Sequence, residues 1–231
     1  MKRFYTEVRV VEHGVGFAVT LDGRPIRTPL KCAVSLPTQQ LAQALAAEWD
    51  AQQETVDLRA MGINRLVNIA IDEAMADPAR LAGEISAYGG CDLLCYRADA
   101  PEELVARQAA AWDPLLAWAG DRFALQLTVT TGVMPVSQNQ DSLSRLSGQV
   151  ATFDPFTLSA MRDVVGICGS LIIGLALREG FLDIDAAWGA AQIDEDWQIE
   201  KWGEDSEATA RRANAYAALQ RADQLLSLLN D

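Results

Sequence analysis

Histidine is nearly missing from this chain: His13 is the only one in 231 residues. A Ser-His-Asp or Cys-His catalytic site would have to use it, yet it sits beside Gly14 at a turn between two strand-like stretches, far from any nucleophile signature. It reads as a surface turn residue. Cysteine is scarce too, with Cys32, Cys91, Cys95 and Cys168. Only Cys91 and Cys95 are close, and three residues separate them. Zinc sites use tighter, doubled pairs with histidine, and thiol redox motifs use two intervening residues. The expectation is reduced thiols, mostly packed inside. Positive charge is short, with 19 Lys and Arg against 32 Asp and Glu and a net charge of −13. That argues against nucleic acid and anionic membrane surfaces, both of which need a basic footprint. There is no phosphate-binding loop of the Walker type and no Gly-x-Gly-x-x-Gly after a strand, which argues against ATP-driven work. Gly14-Val15-Gly16 is hairpin punctuation. The charge-free run from Val164 to Leu177 has 14 residues, where a membrane span needs about 20. The N-terminus is basic but lacks the apolar core of a secretory signal, so the mature chain is expected to begin at Met1. No repeat and no low-complexity linker is visible.

What is present is ample apolar material, half of the residues, enough for a sizeable core. Residues 3 to about 36 alternate as strands. Phe4, Thr6, Val8 and Val10 interleave with Tyr5, Glu7, Arg9 and Val11, and a second strand covers Phe17 to Leu21. Asp22-Gly23 is a strong hairpin signal because both residues tolerate positive φ. Arg24 to Thr28 returns as an edge strand, since Pro25 offers no ladder donor, and Cys32 to Leu36 is a fourth. After Pro37-Thr38 the period becomes helical. Helices are expected around Leu41, Leu45 and Trp49, over Ile63 to Ala76, from Asp77-Pro78 to Tyr88, and from Asp99 onward through Trp112, with Pro114 kinking or breaking the last near Asp113. Leu125 to Thr131 looks like a lone strand. Further helices start at Asp141 and Asp154-Pro155. The run from Val164 to Leu177 is expected to be one helix buried all round, with Gly166, Ser170 and Gly174 as a small side. Asp183 or Asp185 starts a helix running to Trp202, and Ser206 caps a last one packed through its alanines. The fold class is α+β: a small antiparallel β domain, residues 1–37, followed by a larger helical domain, residues 38–231.

The stretch from Asp194 to Glu207 is densely acidic yet holds Trp197 and Trp202. Carboxylates alone would suggest a solvated face or tail. Two indoles gain by leaving water, so a docked helix is expected, with Glu195, Glu200 and Glu204 facing out. Beyond an ordinary amphipathic helix, such a segment fits a partner-recognition surface. Trp or Gln side chains would anchor it and carboxylates would form its selective rim. An alternative is a hydrolase or metal enzyme using the carboxylates near Asp194. Consecutive helical residues point about 100° apart, however, so these groups do not converge unaided. Glu200, Glu204 and Glu207 would share a face only if the helix ran through Gly203.

Several segments together resemble one known family, and they span nearly the whole chain. They are Lys2-Arg3-Phe4, Leu21 to Pro29 (Leu-Asp-Gly-Arg-Pro-Ile-Arg-Thr-Pro) and Ala47 to Gln52 (Ala-Glu-Trp-Asp-Ala-Gln). The others are Asp92 to Arg97 (Asp-Leu-Leu-Cys-Tyr-Arg), Gln108 to Leu115, Asp194 to Gln198, and Trp202 to Asp205. In order and spacing they are similar to the assembly chaperones for the α subunit of the F-type ATP synthase, found in mitochondria and α-proteobacteria. The resemblance implies a β domain joined to an α domain. It implies an ATP-independent, non-enzymatic chaperone without cofactor or metal that holds the unassembled α subunit. It further implies a monomer, cytoplasmic in a bacterium and in the mitochondrial matrix for eukaryotic relatives, with no nucleic acid bound and no membrane insertion. The partner-binding residues expected on this basis are Glu195, Trp197, Gln198, Glu200, Trp202, Glu204, Asp205 and Glu207, with Glu195, Glu200 and Glu207 as candidates for a critical glutamate.

Overall fold

The computed structural model describes residues 1–132 and 134–230. Its first elements are β1 (Val8–His13), β2 (Gly16–Leu21) and β3 (Arg24–Pro25), an antiparallel sheet in the order β1-β2-β3. Register follows from the turns. His13 pairs with Gly16 across Gly14-Val15, and Leu21 pairs with Arg24 across Asp22-Gly23. Asp22 and Gly23 both have positive φ, 48° and 77°, as a two-residue turn matching the strand twist requires. The Asp22 carboxylate also accepts hydrogen bonds from the backbone N–H groups of Thr6 (3.1 Å) and Glu7 (2.8 Å), so the turn residue tethers the incoming chain. The fourth strand expected over Cys32 to Leu36 is reduced to isolated bridges, Phe17 with Leu36 and Arg27 with Ala33.

Helix α1 (Gln39–Asp50) starts where Thr38 caps it: the hydroxyl accepts from Leu41 N–H at 3.2 Å. It lies on β1 and β2 and buries Leu41, Leu45 and Trp49. Helix α2 (Gly62–Ile69) continues into a π-helical turn over Ala70–Ala74. Glu48 ties α1 to the start of α2, accepting from Ile63 N–H (2.9 Å) and Asn64 N–H (2.8 Å). The chain falls into two compact units. One holds residues 1–81, 153–160 and 221–231, and the other holds 82–152 and 161–220. Strand gives way to helix between Leu36 and Gln39, but the compact unit that carries the sheet continues through α1 and α2.

The second unit contains most of α3 (Pro78–Ala87), then α4 (Glu102–Phe123), α5 (Gln140–Val150), the end of α6 (Pro155–Cys168), α7 (Leu171–Arg178), α8 (Ile184–Ala191), α9 (Ile193–Trp202) and the first part of α10 (Ser206–Leu228). A short parallel pair, β4 (Tyr96–Arg97) and β5 (Thr130–Thr131), lies in it. Thus the strand expected from Leu125 pairs only at its last two residues.

Three helix boundaries depart from the sequence reading. Helix α4 is not broken at Pro114; it runs through the proline to Phe123. Trp112 and Leu115, on either side of it, are buried, and packing outweighs the lost hydrogen bond. The apolar run from Val164 is two helices, not one. Gly169 takes φ 65°, and the Ser170 hydroxyl caps α7 by accepting from Ile173 N–H at 3.0 Å. The break folds α7 back so closely that a Cβ at Gly174 would lie 2.8 Å from Val165 Cγ2. The small side therefore serves α6 and α7 themselves. The helix expected from Asp183 to Trp202 is also two, divided at Gln192 (φ −109°, ψ 9°).

Candidate partner-binding surface

Asp92 to Arg97 and Gln108 to Asp113 are separate in sequence but meet in one polar cluster, buried at Arg97, Gln108 and Trp112 and open to solvent at Asp113. Arg97, almost wholly buried, donates to Leu94 O at 2.9 Å and pairs with Asp113 at 2.8 Å. Its guanidinium lies 5.0 Å from the Trp112 ring centroid. Trp112 is completely buried and donates its indole N–H to Ala190 O at 2.8 Å. Gln108 is the hinge of this arrangement. Its carbonyl accepts from Ala98 N–H at 2.8 Å, and its amide donates to Asp194 Oδ1 at 2.6 Å. Nothing in its polarity singled Gln108 out; its position on the buried stripe of α4 was the available signal.

Helix α9 is therefore pinned to α4 at its start by Asp194, and it packs there along its length. Trp197 is the inward residue, only 6% exposed. Two cations lie against its ring, Arg107 at 4.9 Å and Lys201 at 4.3 Å. Arg107 also pairs with Glu200 at 2.7 Å and Glu103 at 3.1 Å, and Lys201 lies 3.7 Å from Glu103. The arginine holds the Glu200 carboxyl below the usual carboxylate range. On the opposite side, Arg212 of α10 pairs with Asp196 and lies 3.9 Å from Glu195. The three leading carboxylates thus go to different partners: Asp194 to Gln108, Asp196 to Arg212, and Glu195 loosely to Arg212. They form no common centre. Among the described residues, no group of three His, Cys, Asp or Glu side chains is placed to hold a metal ion.

Gly203, at φ 87°, ends α9. The helix does not run on, so Glu204 and Glu207 share no helical face with Glu200. Asp205 rather than Ser206 provides the cap of α10, accepting from Ala208 N–H at 3.0 Å. Gln198, Glu200, Trp202, Glu204, Asp205 and Glu207 all lie exposed along this corner. Trp202 is 78% exposed, the largest exposure of any tryptophan here. The expected alanine packing face fails in the first half of α10: Ala210, Ala213 and Ala217 are exposed, and burial begins at Leu219. A second aromatic group in this unit escaped the sequence reading. Trp118 stacks on Phe181 at 5.0 Å, with Phe123 edge-on at 5.5 Å, beside an Arg122–Glu179 pair at 2.7 Å. The cysteines divide evenly, with Cys95 and Cys168 buried but Cys32 and Cys91 exposed, so packing inside holds for only half of them.

The chain is α+β, and its most exposed indole sits in a carboxylate-rich corner. Residues 2–120 match the model of the ATP12 chaperone proteins. The fold matches the crystal structure of Atp12 from Paracoccus denitrificans with a TM-score of 0.95 and 44% identity, covering 99% of this chain and 98% of that one. An aspartate-to-lysine mutant of Paracoccus denitrificans Atp12p matches with the same TM-score at 43% identity and the same coverage. Mitochondrial protein atp12 of Schizosaccharomyces pombe is 24% identical over 214 residues, 87% of this chain and 74% of the yeast protein. The chain belongs to the ATP12 chaperone family. The resemblance to ATP synthase assembly chaperones is thereby borne out at the level of family, as is the α+β fold class. Among the described residues, no helix is long and apolar enough to cross a membrane.

Proposed function

We propose that this protein is an ATP-independent chaperone that binds the unassembled α subunit of the F-type ATP synthase and delivers it to the catalytic head. It turns over no substrate, acts as a monomer and works in the cytoplasm of its cell. The observation that carries the reading is likeness along 99% of the chain to an ATP12 structure, joined to a surface suited to reversible capture. An unassembled subunit exposes apolar area that aggregates unless covered. A holder that must release its client needs a few anchors within a polar rim, not an obligate apolar interface. Trp202 is the anchor in this reading, with Gln198 beside it and Glu200, Glu204, Asp205 and Glu207 as the rim. Trp197 and Glu195 set the position of α9 through Arg107, Lys201 and Arg212.

The test is aggregation of isolated α subunit on dilution from denaturant, followed by light scattering without nucleotide. Stoichiometric protein should suppress it, while the β subunit should aggregate as before. Equal protection of both subunits, or of neither, would sink the client assignment.

A further inference from the structure

A cavity of about 560 Å³ opens in the unit that holds the sheet, within the size range of ligand sites. Its lining includes Phe4, Tyr5, Arg24, Ile26, Arg27 and Trp49 of α1. The aromatics form a graded wall. Phe4 meets Tyr5 edge-on at 5.2 Å, and Tyr5 meets Trp49 at 5.7 Å. Tyr5 and Trp49 are buried, yet Phe4 at the rim is 61% exposed. Such a side chain gains by being covered. Arg24 and Arg27 are both exposed at the same cavity, in a chain of net charge −13. Among the described residues the one acid in the lining is Asp22, which already receives the Thr6 and Glu7 amides and the Thr6 hydroxyl. The Arg27 guanidinium donates to Lys31 O at 2.8 Å through Nη1, which leaves its remaining donors for another acceptor. The buried Trp49 indole N–H has no acceptor among the described residues. An apolar wall and two guanidiniums describe the complement of an apolar side chain next to a carboxylate.

We propose that this cavity is a second polypeptide-binding site, one that takes an aromatic or aliphatic side chain flanked by an acidic residue. It rests on the chaperone reading only in taking the ligand to be a polypeptide. Its charge preference is opposite to that of the α9–α10 corner.

The experiment uses the full chain labelled with ¹⁵N-tryptophan, the Trp49 indole signal being assigned with Trp49→Phe. The probes are the peptides acetyl-Asp-Leu-Phe-Glu-amide and acetyl-Lys-Leu-Phe-Lys-amide. The acidic peptide should shift the Trp49 signal saturably, and the lysine peptide should not. Arg24→Gln with Arg27→Gln should weaken the acidic peptide about tenfold or more. The other indole signals should stay in place, which separates lost binding from lost fold. No shift with the acidic peptide, or an equal shift with both, overturns the proposal. The peptide assay contains no ATP synthase subunit, so it can fail or succeed independently of the client assignment. Peptide binding without α-subunit protection would remove the client and keep the cavity, and the reverse would do the opposite.

Discussion

Asp92 offers the sharpest test of the packing. It is fully buried. One oxygen accepts from Leu94 N–H at 3.1 Å and the other from Ile172 N–H at 3.0 Å, so it joins the turn before β4 to the start of α7. Burial pushes its carboxyl from 3.8 up to about 6, against the hydrogen bonds from Ser170, Ile172, Leu94 and Leu171 that pull it down. The folded protein therefore holds this proton more tightly than the unfolded chain does. A gap of roughly 2 pH units corresponds to about 3 kcal/mol. That contribution is fully present below about pH 4, where both states are protonated, and is lost as pH rises through about 6. Asp92→Asn removes the titration while keeping size and one acceptor. Urea denaturation of both proteins should be run at intervals from about pH 4 to about pH 8, with m-values checked for equality. The stability of wild type minus variant should fall by about 3 kcal/mol up to about pH 7 and then level off. Taking the difference cancels the other carboxylates. A difference that is flat, or that rises with pH, would refute the assignment of burial as the dominant cause.

Native protein alkylated at about pH 8 should be modified at Cys32 and Cys91 only. Burial, with the Asp92 charge beside them, pushes Cys95 and Cys168 to about 12, and peptide mass spectrometry should find them labelled only after unfolding. Gly83→Ala should stabilise by about 0.5–1 kcal/mol, because nothing lies within 4 Å of its new methyl group. Gly174→Ala should instead destabilise by about 1–2 kcal/mol, since its methyl group would meet Val165 at 2.8 Å. Thermal melts of the pair give the two signs. Trp202→Ala should leave stability within about 0.5 kcal/mol and weaken α-subunit capture about tenfold or more. Glu200→Lys should also keep the fold, since an exposed pair contributes about 1 kcal/mol or less, and should weaken capture by reversing a rim charge. Unfolding without any change in affinity of the folded fraction would make both residues structural.

Local features were legible and long-range ones were not. The Asp22-Gly23 turn was readable because positive φ is demanded by two adjacent residues and supplied by their own chemistry. The cap at Thr38 and the helix through Trp49 were readable for the same reason. The break at Gly169 was hidden, because an unbroken apolar run looks alike whether one helix or two are buried. The positive φ of Gly169, the Ser170 cap and the contact of Gly174 with Val165 distinguish them in the structure. The break at Gln192 has no side-chain cap to announce it. At the candidate surface, the segment and its mixed character were visible from composition. The division of labour was not, since two tryptophans five residues apart look equivalent until Arg107 and Lys201 are found against only one ring.

That division bears on how a chaperone can be both firm and exchangeable. An indole 78% exposed is tolerable in a folded protein only if the segment carrying it is held by something else, because a mobile Trp202 would turn inward or draw copies together. Here the holding is done from behind and from the sides: Trp197 beneath, Gln108 at the first turn, Arg107 and Arg212 on the flanks. The carboxylates that looked in sequence like a candidate reaction centre are split between this scaffold and the rim. Asp194 and Asp196 fix the helix, while Glu200 is shared between Arg107 and solvent. If Trp202 anchors the client as proposed, a helix held at so many points would lose little freedom on binding. Two copies meeting at this corner would bring like charges together, so the proposed monomer predicts a single species at low salt in light scattering.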